Sequence, residues 1–484
     1  MAEGVTGPIG SSATGVVLND AQSALNATTV REVVRPASVD DVVAAIRRAA
    51  ADGVAVSVSG SRHSMGGQQF GSGNVHLDMR SLNGIRSLDT VGGIVDAEAG
   101  IEWSELIDGM LQLQARDGGT GDAGTPAWGI RQKQTGSDHL TLGGALASNI
   151  HGRGLRQRPI IEDVEGFTLV DPSGAVREVD RERERELFQL VIGGYGLFGV
   201  VTSVRLRLAP RQLMRRRVSL VTVDKLGAGF EERIADGATF GDCQFSIDPA
   251  SDDFLRLGIL STYTPAPDES AIPEGQHALS REAWGRLLYL THVDPAGAAK
   301  AYVDHYLATD GQLYWSDLHQ RSEYVGGYHA ILDRFTGETT PGSDIITEIY
   351  VPRDALETYM TSIAEQFRDG EPRIVYGTIR LVERDPEAVL TWAREPWACI
   401  IFNLHARHDE HGLHEAAQGF RHLIDLALAC GGSYYLTYHR FATPAQVEVA
   451  HPRIREFLAA KARLDPEGRF QSDWYRHLVA DLRA

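Results

Sequence analysis

Residues 56–67, Val56-Ser57-Val58-Ser59-Gly60-Ser61-Arg62-His63-Ser64-Met65-Gly66-Gly67, set one imidazole in a turn of mostly small side chains, directly after four residues that read as a short strand. Small side chains leave backbone N–H groups unshielded, a concavity suited to a pyrophosphate. The neutral imidazole of His63 is the nucleophile there. Two more small-residue loops follow. Residues 134–154 read QTGSDHLTLGGALASNIHGRG, and residues 191–201 read VIGGYGLFGVV. The order and intervals fit a single dinucleotide site. The candidate contacts are Ser59, Gly60, Ser61, Arg62, His63, Ser64, Gly67 and Gln68 in the first loop. In the second they are Thr135, Gly136, Ser137, Leu142, Gly143, Gly144, Ser148, Asn149, His151 and Gly152, and in the third Gly194, Gly199, Val200 and Val201.

These loops need elements to hold them. Ser38 is a good N-cap, Asp40 and Asp41 suit the positive end of a helix, and Val42, Val43, Ile46 and Ala50 give that helix an apolar face that Gly53 ends. Residues 75–78 and 94–100 read as strands, and residues 103–113 as a short helix. Strand signals at 161–171 and 175–179 flank Pro172-Ser173-Gly174, a hairpin turn. Residues 202–206 alternate and end near Pro210, where a first boundary falls. Beyond it, strand-like runs at 218–223, 345–351, 374–382 and 398–404 alternate with amphipathic helices. That pattern predicts one antiparallel sheet with helices on one face.

Composition excludes several classes. The 484 residues are 43% hydrophobic and 23% charged, which marks a globular chain of two or three domains. The formal charge of −18 argues against nucleic acid or an anionic membrane as the main partner. Arg211, Arg215, Arg216 and Arg217 read as a solvated strand edge. Cys243, Cys399 and Cys430 have no metal-binding spacing and fit reduced thiols in a cytoplasmic protein. Residues 1–16 lack the basic start and apolar run of a signal peptide, and no apolar run approaches the ~20 residues of a membrane span. His405 and His408 suit a metal only on a helix, whereas residues 399–402 read as strand, so no metal is expected.

With three ordered loops followed by an α+β half, the chain resembles the flavoprotein oxidases and dehydrogenases of the vanillyl-alcohol oxidase type. Within that family it looks most like the alditol oxidase and aldonolactone oxidase branch. The G-x-G-H-S motif, whose histidine is bonded to the flavin 8α carbon, corresponds to Gly60-Ser61-Arg62-His63-Ser64, with Arg62 in place of the usual glycine. H-G-x-G matches His151-Gly152-Arg153-Gly154, and D-P-x-G-x-F matches residues 465–470. The E-x-R strand reads Thr378-Ile379-Arg380, which keeps only the arginine. The histidine before Trp-Gly-Lys stands in Tyr438-His439-Arg440, which keeps only the histidine. No cysteine lies between 134 and 154, so a bicovalent flavin is excluded.

The resemblance implies an α+β fold, a two-domain flavoprotein with an FAD-binding domain and an α+β substrate cap domain. The expected division is a flexible arm at 1–16, an FAD-binding domain at 17–210, a cap at 211–440, and a segment at 441–484 that returns to the FAD-binding domain. The implied cofactor is FAD, covalent through His63 or noncovalent. The expected activity is hydride removal from a CH–OH carbon of a polyol, sugar lactone or related small molecule, with dioxygen reoxidising the flavin to give hydrogen peroxide. A dehydrogenase, a tailoring oxidase acting on CH–OH or CH–NH, and a flavin-fold binding protein are the alternatives. His439 is the first candidate base and Tyr438 the second, with Arg380 holding an oxyanion or the flavin N1 edge. Tyr435 and Tyr438, three apart on a strand, would face opposite sides.

Overall fold

The computed structural model describes residues 10–12, 15–116, 127–322, 325–368 and 372–483. The helix Val39–Ala51 starts where its cap signal predicts: Ser38 accepts a hydrogen bond from the Asp41 N–H at 3.1 Å. Its buried face runs Val42, Ala45, Ile46, Ala49 rather than through Ala50, which is exposed. The helix covers a small parallel sheet in which Val75–Asp78 lies between Glu32–Val34 and Val56–Ser59. The last of these strands launches the His63 loop. Its outer side is closed by the C-terminal stretch, where the Val56 N–H donates to the Arg469 carbonyl at 2.6 Å and Val56 pairs with Phe470.

A six-stranded antiparallel sheet follows, its central strand Val200–Pro210 lying between Val164–Val170 and Ile94–Glu98. The hairpin at 172–174 forms, with Asp171 accepting from the N–H groups of Ser173 and Gly174. The next strand, Leu213–Thr222, belongs to a different sheet, so the change of sheet falls between Pro210 and Leu213. One hydrophobic cluster nevertheless runs through both halves, from Met65 to Leu482.

The second sheet is antiparallel and eight-stranded. Its middle strands are Phe240–Phe245, Ile374–Val382 and Trp397–Arg407, followed by Gly342–Pro352. Period-2 alternation divides its residues cleanly. Ile345, Ile349, Ile379, Ile400, Phe402 and Leu404 face an apolar core packed by the helices Val223–Ala235, Leu356–Gln366 and Glu410–Ala429. The opposite face presents Asp344, Glu348, Thr378, Arg380 and Asn403 to a cavity. The helices Arg281–Val293 and Pro295–Ala308 close over that second face, so helices lie on both faces and not on one as the sequence pattern suggested. The alternating polar residues of these strands belong to a wall and not to solvent. The N-terminal arm also departs from expectation. Gly10–Ser12 pairs with Gly15–Leu18, and that strand pairs with Thr28–Val30. Residues 1–9 and 13–14 lie outside the described residues.

Buried histidines couple this fold to pH. His76 sits between two strand hydroxyls, with Nδ1 3.0 Å from Ser57 Oγ and Nε2 2.8 Å from Ser59 Oγ. Burial pushes it down to about 3, and burial likewise brings His451 to about 3. The unfolded chain therefore binds more protons between the ordinary histidine pKa and these values, so folding stability falls as pH drops through that window. We expect the unfolding midpoint to fall steadily from pH 7 to pH 4. His76→Gln should remove up to about 1.4 kcal/mol per pH unit from the slope between pH 6 and 4, as read by denaturant titrations at several pH values.

Candidate active site

A cavity of about 870 Å³ opens where the three loops meet the polar face of the eight-stranded sheet. That is near the upper end of the ~300–1,000 Å³ usual for small-molecule sites. The loops hold one another. Gly60 lies so close to Thr141 that a Cβ there would fall 1.9 Å from its Oγ1, so only glycine allows the first loop to meet the second. Ser61 Oγ donates to Glu102 at 2.8 Å, and His139 Nδ1 reaches the same carboxyl group at 2.8 Å. The third loop docks on the short helix Leu142–Ser148: the N–H groups of Gly193 and Tyr195 donate to the carbonyls of Leu146 and Ala147. Arg62 occupies the left-handed region at φ 61°, which glycine enters freely and an arginine does not.

His63 is half-buried on the cavity wall. Burial, with His139 adding to it, pushes its imidazole down to about 4, so it is neutral at neutral pH. Ser59, Gly60, Ser61, Arg62, Ser64 and Gln68 line the same cavity, as do Thr135, Gly136, Ser137, Gly143, Gly144, Ser148, His151, Gly199 and Val201. Gly67, Leu142, Asn149, Gly152, Gly194 and Val200 do not line it. Leu142 and Val200 are core residues. Asn149 serves the fold instead. As the left-handed cap of the short helix it donates to Asp385 at 2.8 Å and accepts from the Ile161 N–H. Gly152 and Gly194 press against the backbone of Lys133 and Leu190, and Gly67 faces Asn26 and Arg440. The structure places these six behind the loops, away from the cavity surface.

His439 is also displaced from its expected place. It is buried, stacks on Phe441 at 5.0 Å, and borders a separate small pocket with Trp474. Tyr438 does line the main cavity, and so does Tyr435. The two do not sit on one strand. The strand ends at Tyr434 and the chain turns at Leu436 and Thr437, so both rings reach the cavity wall, edge to face and 5.7 Å apart.

The chemical centre is Glu348, which no sequence motif selects. It is buried on the cavity wall, and its Oε1 lies 2.7 Å from His151 Nε2. Tyr350 donates to the same oxygen, and the Tyr438 hydroxyl donates to Oε2 at 3.2 Å. His151 Nδ1 lies 2.9 Å from the Gly152 carbonyl, so both of its ring nitrogens face acceptor oxygens. Burial opposes the charge on Glu348, but His151, Tyr350 and Arg380 together hold its carboxyl group below the usual range. Burial, with Glu348 and Cys399 adding to it, pushes the Tyr438 phenol well up, so it stays protonated. Arg380 donates to Thr135 Oγ1, and its buried Nε has no protein partner. Period-2 alternation was the available signal: Asp344, Ile346 and Glu348 share one face of their strand.

The histidines His405 and His408 are separated by their surroundings. His408 Nε2 lies 2.8 Å from Ser343 Oγ, while His405 Nδ1 contacts Asp344 at 3.0 Å. His292 Nε2 reaches the other oxygen of Asp344 at 3.1 Å, giving a His–Asp–His group that sequence spacing could not reveal. Burial opposes the carboxylate, yet His292 and His405 hold Asp344 far below its ordinary pKa. Among the described residues no helix is long and apolar enough to cross a membrane.

Residues 30–125 match a family described as an FAD binding domain. Relatives include an uncharacterized oxidoreductase of the fasciation locus in Rhodococcoides fascians, 32% identical over 50% of this chain and 52% of that protein. Decaprenylphosphoryl-beta-D-ribose oxidase of Mycolicibacterium smegmatis is 23% identical over 93% of this chain and 95% of its own. Cytokinin dehydrogenase 9 of rice, Oryza sativa subsp. japonica, is 30% identical over 40% of this chain and 36% of its own. The chain thus spans about half the length of the first relative, nearly all of the second and about a third of the third. The matched family and the relatives' names support an FAD-dependent oxidoreductase. The cavity fits that cofactor, since it is long enough to be walled by all three small-residue loops and carries the unpartnered Nε of Arg62 and of Arg380.

The contact between the first two loops can be tested without any ligand. Gly60→Ala should cost about 1–3 kcal/mol by overpacking against Thr141. Thr141→Ala should cost about 1 kcal/mol by removing a helix cap. The double variant should cost less than the sum, because the 1.9 Å clash with Oγ1 is then gone and only the 2.9 Å approach to the residue-141 Cβ remains; equilibrium unfolding of the four proteins measures the difference.

Proposed function

We propose that this FAD-dependent oxidoreductase is an oxidase that removes hydrogen from a CH–OH carbon of a polyol, sugar lactone or related small molecule. The observation that carries this reading is the hydrogen-bonded chain Tyr438–Glu348–His151 on the wall of the cavity that the three loops share. Residues 17–210 would hold FAD, residues 211–440 the substrate, and residues 441–484 would return to the first part. Three cysteines without a disulfide among them support a cytoplasmic setting.

His63 is the proposed covalent anchor, since its neutral imidazole nitrogen is nucleophilic at neutral pH. Bound FAD supplies a two-electron acceptor for the hydrogen on carbon, and dioxygen regenerates it with release of hydrogen peroxide. The protein itself handles the hydroxyl proton. Tyr438 accepts a hydrogen bond from the substrate hydroxyl with an oxygen lone pair while its own proton points at Glu348 Oε2. As the substrate hydroxyl loses its proton to Tyr438, the tyrosine proton passes to Glu348, a carboxylate held ionised by His151. Arg380 faces the cavity and balances negative charge that develops on the substrate oxygen or the flavin. Tyr438, the second sequence candidate, thus becomes a relay, and the base is Glu348.

Acid precipitation should leave the yellow colour in the pellet, and His63→Ala should move it to the supernatant. With an active polyol or lactone under air, hydrogen peroxide should appear in step with product. Glu348→Gln should lower kcat by about 10²–10⁴-fold with the flavin content unchanged. A substrate that bleaches the flavin while air fails to restore it would mark a dehydrogenase instead. A colourless protein that added FAD cannot restore would overturn the reading.

A further inference from the structure

The basic run at 211–217 does not behave as one surface. Arg211 pairs with Asp317 at 3.0 Å in a buried contact. Arg215 pairs with Glu269, and Arg217 with Asp236 at 2.7 Å, both about half exposed. Strand alternation turns Arg216 the other way, into the cavity. Its Nε donates to Ser261 Oγ at 2.8 Å, and its guanidinium lies 4.7 Å from the ring centre of Tyr306 and 5.5 Å from that of Tyr263. Among the described residues it has no carboxylate partner within salt-bridge distance.

A second guanidinium arrives from the opposite side. Arg153, in the His151-Gly152-Arg153-Gly154 turn, lies 5.4 Å from the same Tyr263 ring centre. Its nearest carboxylate is Asp242 at 3.8 Å, and its buried Nε has no hydrogen-bond partner. His319 stacks on Tyr263 at 4.3 Å, only 5% exposed, and neither of its ring nitrogens has a partner. Arg153, Arg216, Asp242 and His319 all border the cavity. Two guanidiniums, that of Arg216 buried and that of Arg153 half-buried with one N–H given to the His319 carbonyl, therefore face one carboxylate at contact distance from only one of them. Such an imbalance is costly unless a further anion completes it.

We infer that the end of the cavity between Arg153 and Arg216 is a subsite for a single anionic group, a carboxylate or a phosphate, carried by the substrate. The inference rests on the proposed function only in assuming that the substrate enters this cavity. The guanidinium fork suits either oxyanion, and the Tyr263 and Tyr306 rings exclude water from it. Arg216, Tyr263 and Tyr306 come from the eight-stranded sheet and the helix Pro295–Ala308, not from the three small-residue loops. Only Arg153, at the end of the second small-residue loop, is shared with the turns suited to a pyrophosphate.

Calorimetric titration of the FAD-loaded protein with benzoate, phenyl phosphate and the neutral benzamide tests this. Benzoate or phenyl phosphate, or both, should bind about tenfold or more tightly than benzamide, the worth of one charge-assisted hydrogen bond, and their ratio tells which oxyanion the fork prefers. Arg216→Gln should remove that preference and leave the FAD-to-protein ratio unchanged. Benzamide binding as well as the anions, or no binding of either anion at millimolar concentration, overturns the inference. So does a loss of FAD in Arg216→Gln that keeps the anion preference, since the arginine then serves the cofactor. The comparison of charged with neutral probes needs no variant. Because heat and not turnover is read, a protein without oxidase activity sinks the proposed function and leaves this result standing.

Discussion

A single buried carboxylate ties the second loop to the eight-stranded sheet. Glu348 lies on a strand of the eight-stranded sheet, yet its partners come from three places: His151 from the second loop, Tyr350 from its own strand, and Tyr438 from the turn after residue 434. A buried charge of this kind is tolerated only when every lone pair is answered, and removing one answering group is far more costly than the pair is worth. The carboxylate therefore fixes where the loop, the strand and the turn meet. Tyr435 reinforces the same joint, since its hydroxyl donates to the Ser148 carbonyl at 2.6 Å and its N–H to the Glu348 carbonyl. An orderly wall for the cavity follows from that junction and not from the loops alone.

The sheet behind it separates two solvents. One face is packed by aliphatic and aromatic side chains against three helices, and the other carries carboxylates, a guanidinium and amide groups. Neither face is exposed, so the second face must answer its polar groups internally. Most do so in pairs, as Asp344 does with His292 and His405. The groups that do not, Arg380 Nε and Thr378 Oγ1 among them, lie along the cavity. On this face, Arg380 Nε and Thr378 Oγ1 sit where a ligand can supply the missing partner.

Local signals carried much of this into the sequence. The Ser38 cap, the hairpin around Ser173 and the small-residue loops are short-range features whose physics is complete within a few residues. What was illegible depends on long-range packing. His439 carries a family pattern but is turned away because the strand stops at Tyr434, and no neighbour in sequence announces that turn. Asn149, amid loop residues of cofactor type, is claimed by Asp385, 236 positions away. Arg216 looked like its neighbours because charge is visible in a sequence and facing is not. Glu348 was passed over because no local motif surrounds it.

The pairing of Val56 with Phe470 bears on the order of events during synthesis. The strand that carries His63 has Val75–Asp78 on one side, available early, and Phe470 on the other. The Val56 N–H and carbonyl find their partners, Arg469 and Gln471, more than four hundred positions downstream. While the chain is still being made, that edge is an unpaired strand with open donors and acceptors, the kind of surface that recruits other chains. The ribosome must deliver the chain as far as residue 471 before the edge is sealed and the imidazole loop gains its final support. Maturation of the site therefore waits for residues 469–471, and until they arrive the nascent chain carries an open strand edge.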